Sequence, residues 1–165
     1  MQYAWTVADL NTTSAGGGGR AATVAGWSWG RQLAEQIALQ GIKVMVIDDS
    51  NTIRRSAEIF LMQAGCQVIL AENGFDALAK IADHQPDLIF VDIMMPRLDG
   101  YQTCALIKKS GKHKATPVIM LSSKDSLFDR ARGRMVGSDE YLTKPFTKES
   151  LLKAVEAHLT QKSPA

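Results

Sequence analysis

Residues 42–74 read IKVMVIDDSNTIRRSAEIFLMQAGCQVILAENG. Residues 42–47 are a short, mainly apolar run of strand length. Apolar side chains then recur at Ile53, Ala57, Phe60, Leu61 and Ala64, spaced i, i+4, i+7, i+8 and i+11 along one face of a helix, until Gly65 stops it. Residues 68–71 form a second short apolar run. Strand, amphipathic helix and strand in succession make a βαβ unit, and that unit implies a parallel sheet.

The pattern repeats down the chain. Phe75, Leu78, Ala79 and Ala82 line one face of a second helix that closes before Pro86. Residues 88–91 are a fully apolar third strand, a third helix runs over about 101–108, and residues 118–121 are the fourth strand. The helix after it has less periodic apolar positions. A short fifth strand at 141–143 precedes a last helix that starts near Thr147, an N-cap with Glu149 in the first turn, and presents Leu151, Leu152, Val155 and Leu159 on one side. Five strands each followed by a helix through right-handed crossovers make a doubly wound α/β fold. The expected domain spans 42–160, with 161–165 a tail and no effector domain after the fifth helix.

Length and composition agree with one such domain. A chain of 165 residues holds a single ordinary domain of about 100–150 residues plus a surplus. Its 45% apolar and 22% charged residues are the balance of a soluble globular protein. The densest basic stretch, 108–114, is interrupted by Ser110, Gly111 and His113 and reads as a solvated helix end and loop, so no nucleic-acid partner is expected. Cys66 and Cys104 have neither CxxC spacing nor nearby histidines and read as small buried side chains. His84, His113 and His158 lack metal-ligand spacing and read as surface residues, and the seven methionines read as core filling. No apolar run reaches the ~18 residues of a membrane span and no signal peptide opens the chain, which makes the cytoplasm the default compartment.

Residues 1–41 differ from the rest. They hold all three tryptophans and the four-glycine run 16–19, and read as a flexible leader with one short helix over 31–39, where Leu33 and Ile37 fall at helical spacing. The alternative is a docking segment anchored by Trp27 and Trp29.

Polar residues stand where the strands end: Asp48 and Asp49 after the first, Asp92 after the third, Ser122 after the fourth and Lys144 after the fifth. In an open parallel sheet these ends share one edge, and ligands bind there, where the strand order reverses. In the order 2-1-3-4-5 the first and third strands are neighbours at that point, so Asp48, Asp49 and Asp92 converge. Three carboxylates together repel, and a divalent cation resolves the conflict; an all-oxygen site suits Mg²⁺. A transferring phosphoryl group spreads charge over three oxygens, and metal, Lys144 and Ser122 offer one partner for each. Asp92 is then the nucleophile that becomes an aspartyl-phosphate.

The motifs KVMVIDDS (43–50), FVDIMMPRLDG (90–100), PVIMLSS (117–123) and YLTKPF (141–146) stand in the order and spacing of response-regulator receivers, and over residues 42–159 the chain resembles that family. The wording of VDIMMPRLDGYQTCALIK and PVIMLSSKD is most similar to the PilG-type single-domain regulators of type IV pilus twitching motility. The resemblance implies a CheY- and flavodoxin-like sheet, order 2-1-3-4-5. It makes Asp92 the phosphoacceptor, Asp49 a direct Mg²⁺ ligand, Asp48 a ligand directly or through water, and the Met94 carbonyl the last protein ligand. Lys144 bridges to the phosphoryl group, Ser122 and Tyr141 are the switch pair, Pro96 and Gly100 shape the loop after Asp92, and the Lys144-Pro145 bond is cis. Met94 and Met95, beside the acceptor, are expected to be partly exposed.

The resemblance further implies a CheA-like histidine kinase upstream and a pilus or motility protein downstream, bound through the face of helix four, strand five and helix five. Such a protein is a phosphoacceptor that assists its own phosphorylation and dephosphorylation rather than an enzyme. A phosphate sink for the kinase is a related reading. A phosphohydrolase of the haloacid-dehalogenase kind would need a second aspartate two residues after the nucleophile, where this chain has Met94.

Overall fold

Side chains alternate across a strand, so an apolar strand covered by helices on both faces feeds two cores at once. In the computed structural model, which describes residues 29–31, 39–123 and 127–159, this happens at β1 (Lys43–Ile47), β3 (Leu88–Asp92) and β4 (Val118–Ser122), the centre of the sheet. β2 (Gln67–Ala71) and β5 (Glu140–Thr143) are the edges, all pairings are parallel, and the order is β2-β1-β3-β4-β5, as the sequence implied. On one face Val44, Val46, Leu88, Phe90, Ile119 and Leu121 pack with Ala57 and Leu61 of α1 (Asn51–Gln63) and Leu151 and Val155 of α5 (Lys148–Leu159). On the other, Met45, Ile47, Ile89, Val91, Val118 and Met120 pack with Ala77 and Ile81 of α2 (Gly74–His84) and Cys104 and Ile107 of α3 (Gly100–Lys109). α4 (Leu127–Met135) buries only Gly133.

The helix ends follow from local chemistry. Ser50 caps α1, and Gly65, at φ +89°, closes it with bonds from Cys66 N to Leu61 O (3.1 Å) and Gly65 N to Met62 O (3.0 Å), the Schellman pattern. Asp99 and Gln102 form a capping box on α3, and Thr147 Oγ1 accepts from Ser150 N at 3.1 Å ahead of α5.

Several side chains sit otherwise than the sequence suggested. The buried stripe of α2 is Gly74, Ala77 and Ile81 with Leu78 beside it, while Phe75 is 56% exposed and Ala79 and Ala82 face out. The reason is Gly74: a Cβ there would lie 2.5 Å from Thr103 Oγ1 and 2.6 Å from Leu98 Cδ2, so the helix packs through a residue that carries no apolar weight in the pattern. His113 is buried at the edge of a cleft that it lines with Leu78, Ile81, Leu106 and Ile107, in a loop shaped by bonds from His113 N to Ser110 O and from Thr116 N to His113 O. His158 is half-buried against Glu140, and only His84 is exposed. Lys108 is no solvated helix end: its Nζ donates to Thr116 O (2.7 Å) and pairs with Asp139 (2.9 Å), whose carboxylate also accepts from Val118 N.

Met45 and Met120 fill the core as expected, and Met94 is exposed as expected, whereas Met95, expected to be partly exposed, is buried with them, and Met62 and Met135 lie on the surface. Both cysteines are buried and free, and burial pushes each thiol up to about 11.

The chain divides into a unit Met1–Leu33 and a unit Ala34–Ala165. The core reaches back before residue 42, since Leu39 is buried with Val44 and Leu61 and its carbonyl accepts from Ile42 N. Of the rest of the leader only residues 29–31 and 40–41 are described, with Trp29 68% exposed; residues 1–28, Trp27 among them, residues 32–38, which hold most of the expected short helix, and residues 160–165 lie outside the described residues.

Candidate functional site

β1 and β3 run side by side with Ile47 opposite Val91, so the residues that follow, Asp48 and Asp92, meet beyond the apolar ladder. Asp48 is fully buried and Asp92 is 3% exposed, while Asp49, one residue on, is open to solvent. Carboxylate oxygens of the three lie within 4.8 Å of one another. Lys144, carried by the segment after β5, places Nζ 3.0 Å from Asp92 Oδ1 and 3.2 Å from Asp48 Oδ2.

The backbone holds these groups in place. Lys144 N donates to Ser122 O (2.6 Å), Ile93 N to Leu121 O (3.0 Å) and Met94 N to Asp92 Oδ1 (3.3 Å). Asp48 Oδ1 accepts from Ser50 N at 2.8 Å, and its carbonyl accepts from Arg54 Nη1 at 2.6 Å.

Burial and charge together set the titration of Asp92 and Lys144. Burial, then the Asp48 carboxylate, pushes Asp92 up to about 6, against the opposing pull of Lys144 and the Met94 N–H. Burial pulls the Lys144 ammonium down, but the bond to Asp92 and the charges of Asp48 and Asp92 outweigh it and hold the group above its usual value. One ammonium facing three carboxylates leaves the site negative. The donors are all oxygen, two are buried and Asp49 faces water, an arrangement that fits Mg²⁺ with part of its hydration shell retained.

The remaining residues lie around this centre. Ser122 ends β4, buried, next to β3. Tyr141 pairs with Met120 on β5 and is half-buried against the core on the α2 and α3 side, with the Arg130 guanidinium 5.4 Å from its ring centroid. The Met94 side chain is 73% exposed, whereas Met95 is buried. In the loop after Asp92, Leu98 N donates to Pro96 O (2.8 Å), and Gly100 N donates to Ile93 O (3.0 Å). Gly100 is required by close approach rather than by backbone angle: a Cβ would collide with the Asp92 carbonyl and sit 2.7 Å from Ile93 Cα. The Lys144-Pro145 bond is cis.

Sequence reading missed two contacts. Arg54 is one. The other is Tyr101, buried, whose hydroxyl donates to the Asp129 carbonyl and carboxylate of α4 at 3.3 Å each while the Arg132 guanidinium lies 4.5 Å from its ring centroid. Both residues look like ordinary helix positions in one dimension. The available signal for Arg54 was its place in the first turn, since helical side chains tilt back toward the N-terminus.

A doubly wound sheet with carboxylates from β1 and β3 and a lysine after β5 gathered at the switch point is the architecture of signalling receivers. Residues 44–156 match the response regulator receiver domain, and the chain belongs to that family, the receivers of two-component systems. Protein PilG of Pseudomonas aeruginosa is 70% identical over 124 residues, which cover 75% of this chain and 92% of that protein. Response regulator MprA of Mycobacterium sp. (strain KMS) is 38% identical over 123 residues, 74% of this chain but 53% of MprA, so the likeness there is to about half of the relative. Among solved structures, the chemotaxis response regulator CheY4 of Vibrio cholerae is similar at a TM-score of 0.69 and 34% identity, covering 72% of this chain and 99% of that one. Membership of this family brings a histidine kinase as input and a downstream partner as output. Among the described residues, no helix is long and apolar enough to cross a membrane.

Proposed function

We propose that the protein is a phosphorylation switch whose acceptor is Asp92. The observation that carries this reading is the buried Asp92 carboxylate held between Lys144 and the Asp48/Asp49 pair at the carboxyl edge of the sheet. Among the described residues, both hydrogen bonds to this carboxylate fall on Oδ1, which leaves Oδ2 to attack phosphorus in line as the bond from phosphorus to the donor's leaving atom breaks. Lys144 follows one phosphoryl oxygen and the Ser122 hydroxyl donates to another. Asp48, Asp49, Asp92 and the Met94 carbonyl would hold Mg²⁺, which offsets charge on the transferring group.

Ser122 and Tyr141 couple this chemistry to the surface. A hydroxyl drawn toward the new phosphoryl oxygens leaves a space that the half-buried Tyr141 ring fills, and the face of α4, β5 and α5 changes with it. That face carries the exposed Leu127, Phe128 and Met135 together with arginines 130 and 134, an apolar and basic surface suited to a protein partner. The 70% identity to PilG supports a narrower reading: a CheA-like kinase as donor, and type IV pilus twitching motility or chemotaxis-like signalling as output.

The test is phosphate incorporation from acetyl phosphate or a phosphorylated kinase. Asp92→Ala should fold and take up no acid-labile phosphate; uptake at an aspartate in that variant overturns the assignment.

A further inference from the structure

The main chain of Asp48 is gripped by a cation that none of the roles above employs. Arg54 Nη1 donates to the Asp48 carbonyl oxygen at 2.6 Å. Arg54 lies in the first turn of α1, its own N–H donating to Ser50 O at 3.1 Å, and the tilt of helical side chains toward the N-terminus carries its guanidinium back over the turn between β1 and α1. A cation there runs against the helix dipole, and α1 has no acidic residue in its first turn to offset it. The charge-assisted bond to the carbonyl supplies the compensation.

The grip closes on a residue whose other acceptors are also held, Oδ1 by Ser50 N and Oδ2 by Lys144. Because the peptide group is planar, fixing the Asp48 carbonyl also fixes the Asp49 amide and the place of the Asp49 Cα from which its exposed carboxylate extends. Among the described residues, Arg54 is hydrogen-bonded to the backbone of the turn and to no carboxylate of the site, so the contact it makes there is with the main chain.

We propose that Arg54 is a positioning residue of the metal site, setting the turn that presents Asp48 and Asp49 to a divalent cation. The inference rests on the metal-site reading given under the proposed function. It separates Arg54 from the solvated arginines of a helix surface, of which its neighbour Arg55, exposed and paired with Glu58 one turn on, is an example.

The experiment is Mg²⁺ titration of the full chain by calorimetry, with amide NMR of the metal-free protein, for the parent, Arg54→Met and Arg54→Lys. Methionine keeps most of the aliphatic length without a donor, while lysine can still donate to the same carbonyl. Loss of one such bond should raise the Mg²⁺ Kd about threefold to tenfold in Arg54→Met and raise the Mg²⁺ concentration for half-maximal phosphorylation by the same factor. The Asp49 amide resonance should move even without metal, and Arg54→Lys should recover most of the affinity. A residue that only stabilised the fold would lower Tm and leave the Kd of the folded protein and the Asp49 amide unchanged. That result for Arg54→Met overturns the proposal. Should Arg54→Met not fold, Arg54→Gln, too short to reach the carbonyl, is judged by the same criteria. A parent protein that binds no Mg²⁺ overturns the metal reading itself, which sets that failure apart from the failure of Arg54.

Discussion

The Asp92 carboxyl is held up at about 6 chiefly because it is buried, and next because Asp48 lies beside it. A group that binds its proton more tightly folded than unfolded adds stability that is fully present below the unfolded value near 3.8 and is lost as pH rises through about 6. At pH 8 without metal the folded protein therefore carries a strained negative charge. Asp92→Asn, which keeps the shape and drops the charge, should be more stable than the parent in metal-free buffer at pH 8 by ~1–3 kcal/mol, and the gap should close toward pH 4. Urea unfolding with chelator at the two pH values measures this. Equal stabilities at pH 8 would show that the carboxylate cluster carries no such strain. Addition of Mg²⁺ should stabilise the parent and not Asp92→Asn, because only the parent presents the third carboxylate.

At the level of the element, the helices differ in how firmly they are attached. α1, α2, α3 and α5 each bury aliphatic side chains, whereas α4 buries Gly133 alone and leaves Leu127, Phe128 and Met135 in water. What ties it down is polar: the Tyr101 hydroxyl on Asp129, and Arg132 and Arg130 stacked on Tyr101 and Tyr141. Amide hydrogen exchange should find α4 the least protected of α1 to α5. Tyr101→Phe, which keeps the ring for Arg132 and removes the hydroxyl, should speed exchange in α4 about twofold to tenfold with no change in α1. Protection of α4 equal to that of α1 would refute this.

The strand-end residues Asp48, Asp92 and Ser122 were legible in the sequence because β1, β3 and β4 are nearly continuous apolar runs, so the first polar residue at the end of each marks the open edge of the sheet; Lys144, after the half-buried and mixed β5, was legible from its place in the YLTKPF motif. Helix surfaces told less. Gly74 hid the phase of α2 because a glycine packed in close contact counts for nothing in a hydrophobic pattern; Arg54 lay in no motif and Lys108 read as a solvated helix end, although each donates to a backbone carbonyl that one-letter code does not distinguish.

For the molecule as a whole, the question is where the folding unit begins. Sequence periodicity placed the start at Ile42, but Leu39 is 2% exposed within the core cluster that includes Val44, Leu61 and Leu88. Its connection is also made by the backbone, through Ile42 N to Leu39 O at 3.3 Å and Gly41 N to Gly65 O at 3.0 Å, which lock the approach to β1 onto the end of α1. A fully buried leucine contributes ~1.5–3 kcal/mol by burial alone, and removing one leaves a cavity that adds to the loss. Two truncations that differ by two residues should therefore behave differently. Deleting residues 1–38 leaves Leu39 in place and should keep Tm within about 2 °C of the full chain and keep Asp92 phosphorylation intact. Deleting residues 1–40 removes the leucine and should cost ~2–3 kcal/mol, a fall in Tm of roughly 6–12 °C for a domain of this size. The acceptor site should survive both, since every residue of it lies beyond Gly41. Thermal unfolding of the two truncations beside the full chain decides the matter: equal Tm values would mean that Leu39 adds nothing to the core, and a large loss already at 1–38 would mean that the folding unit begins earlier still.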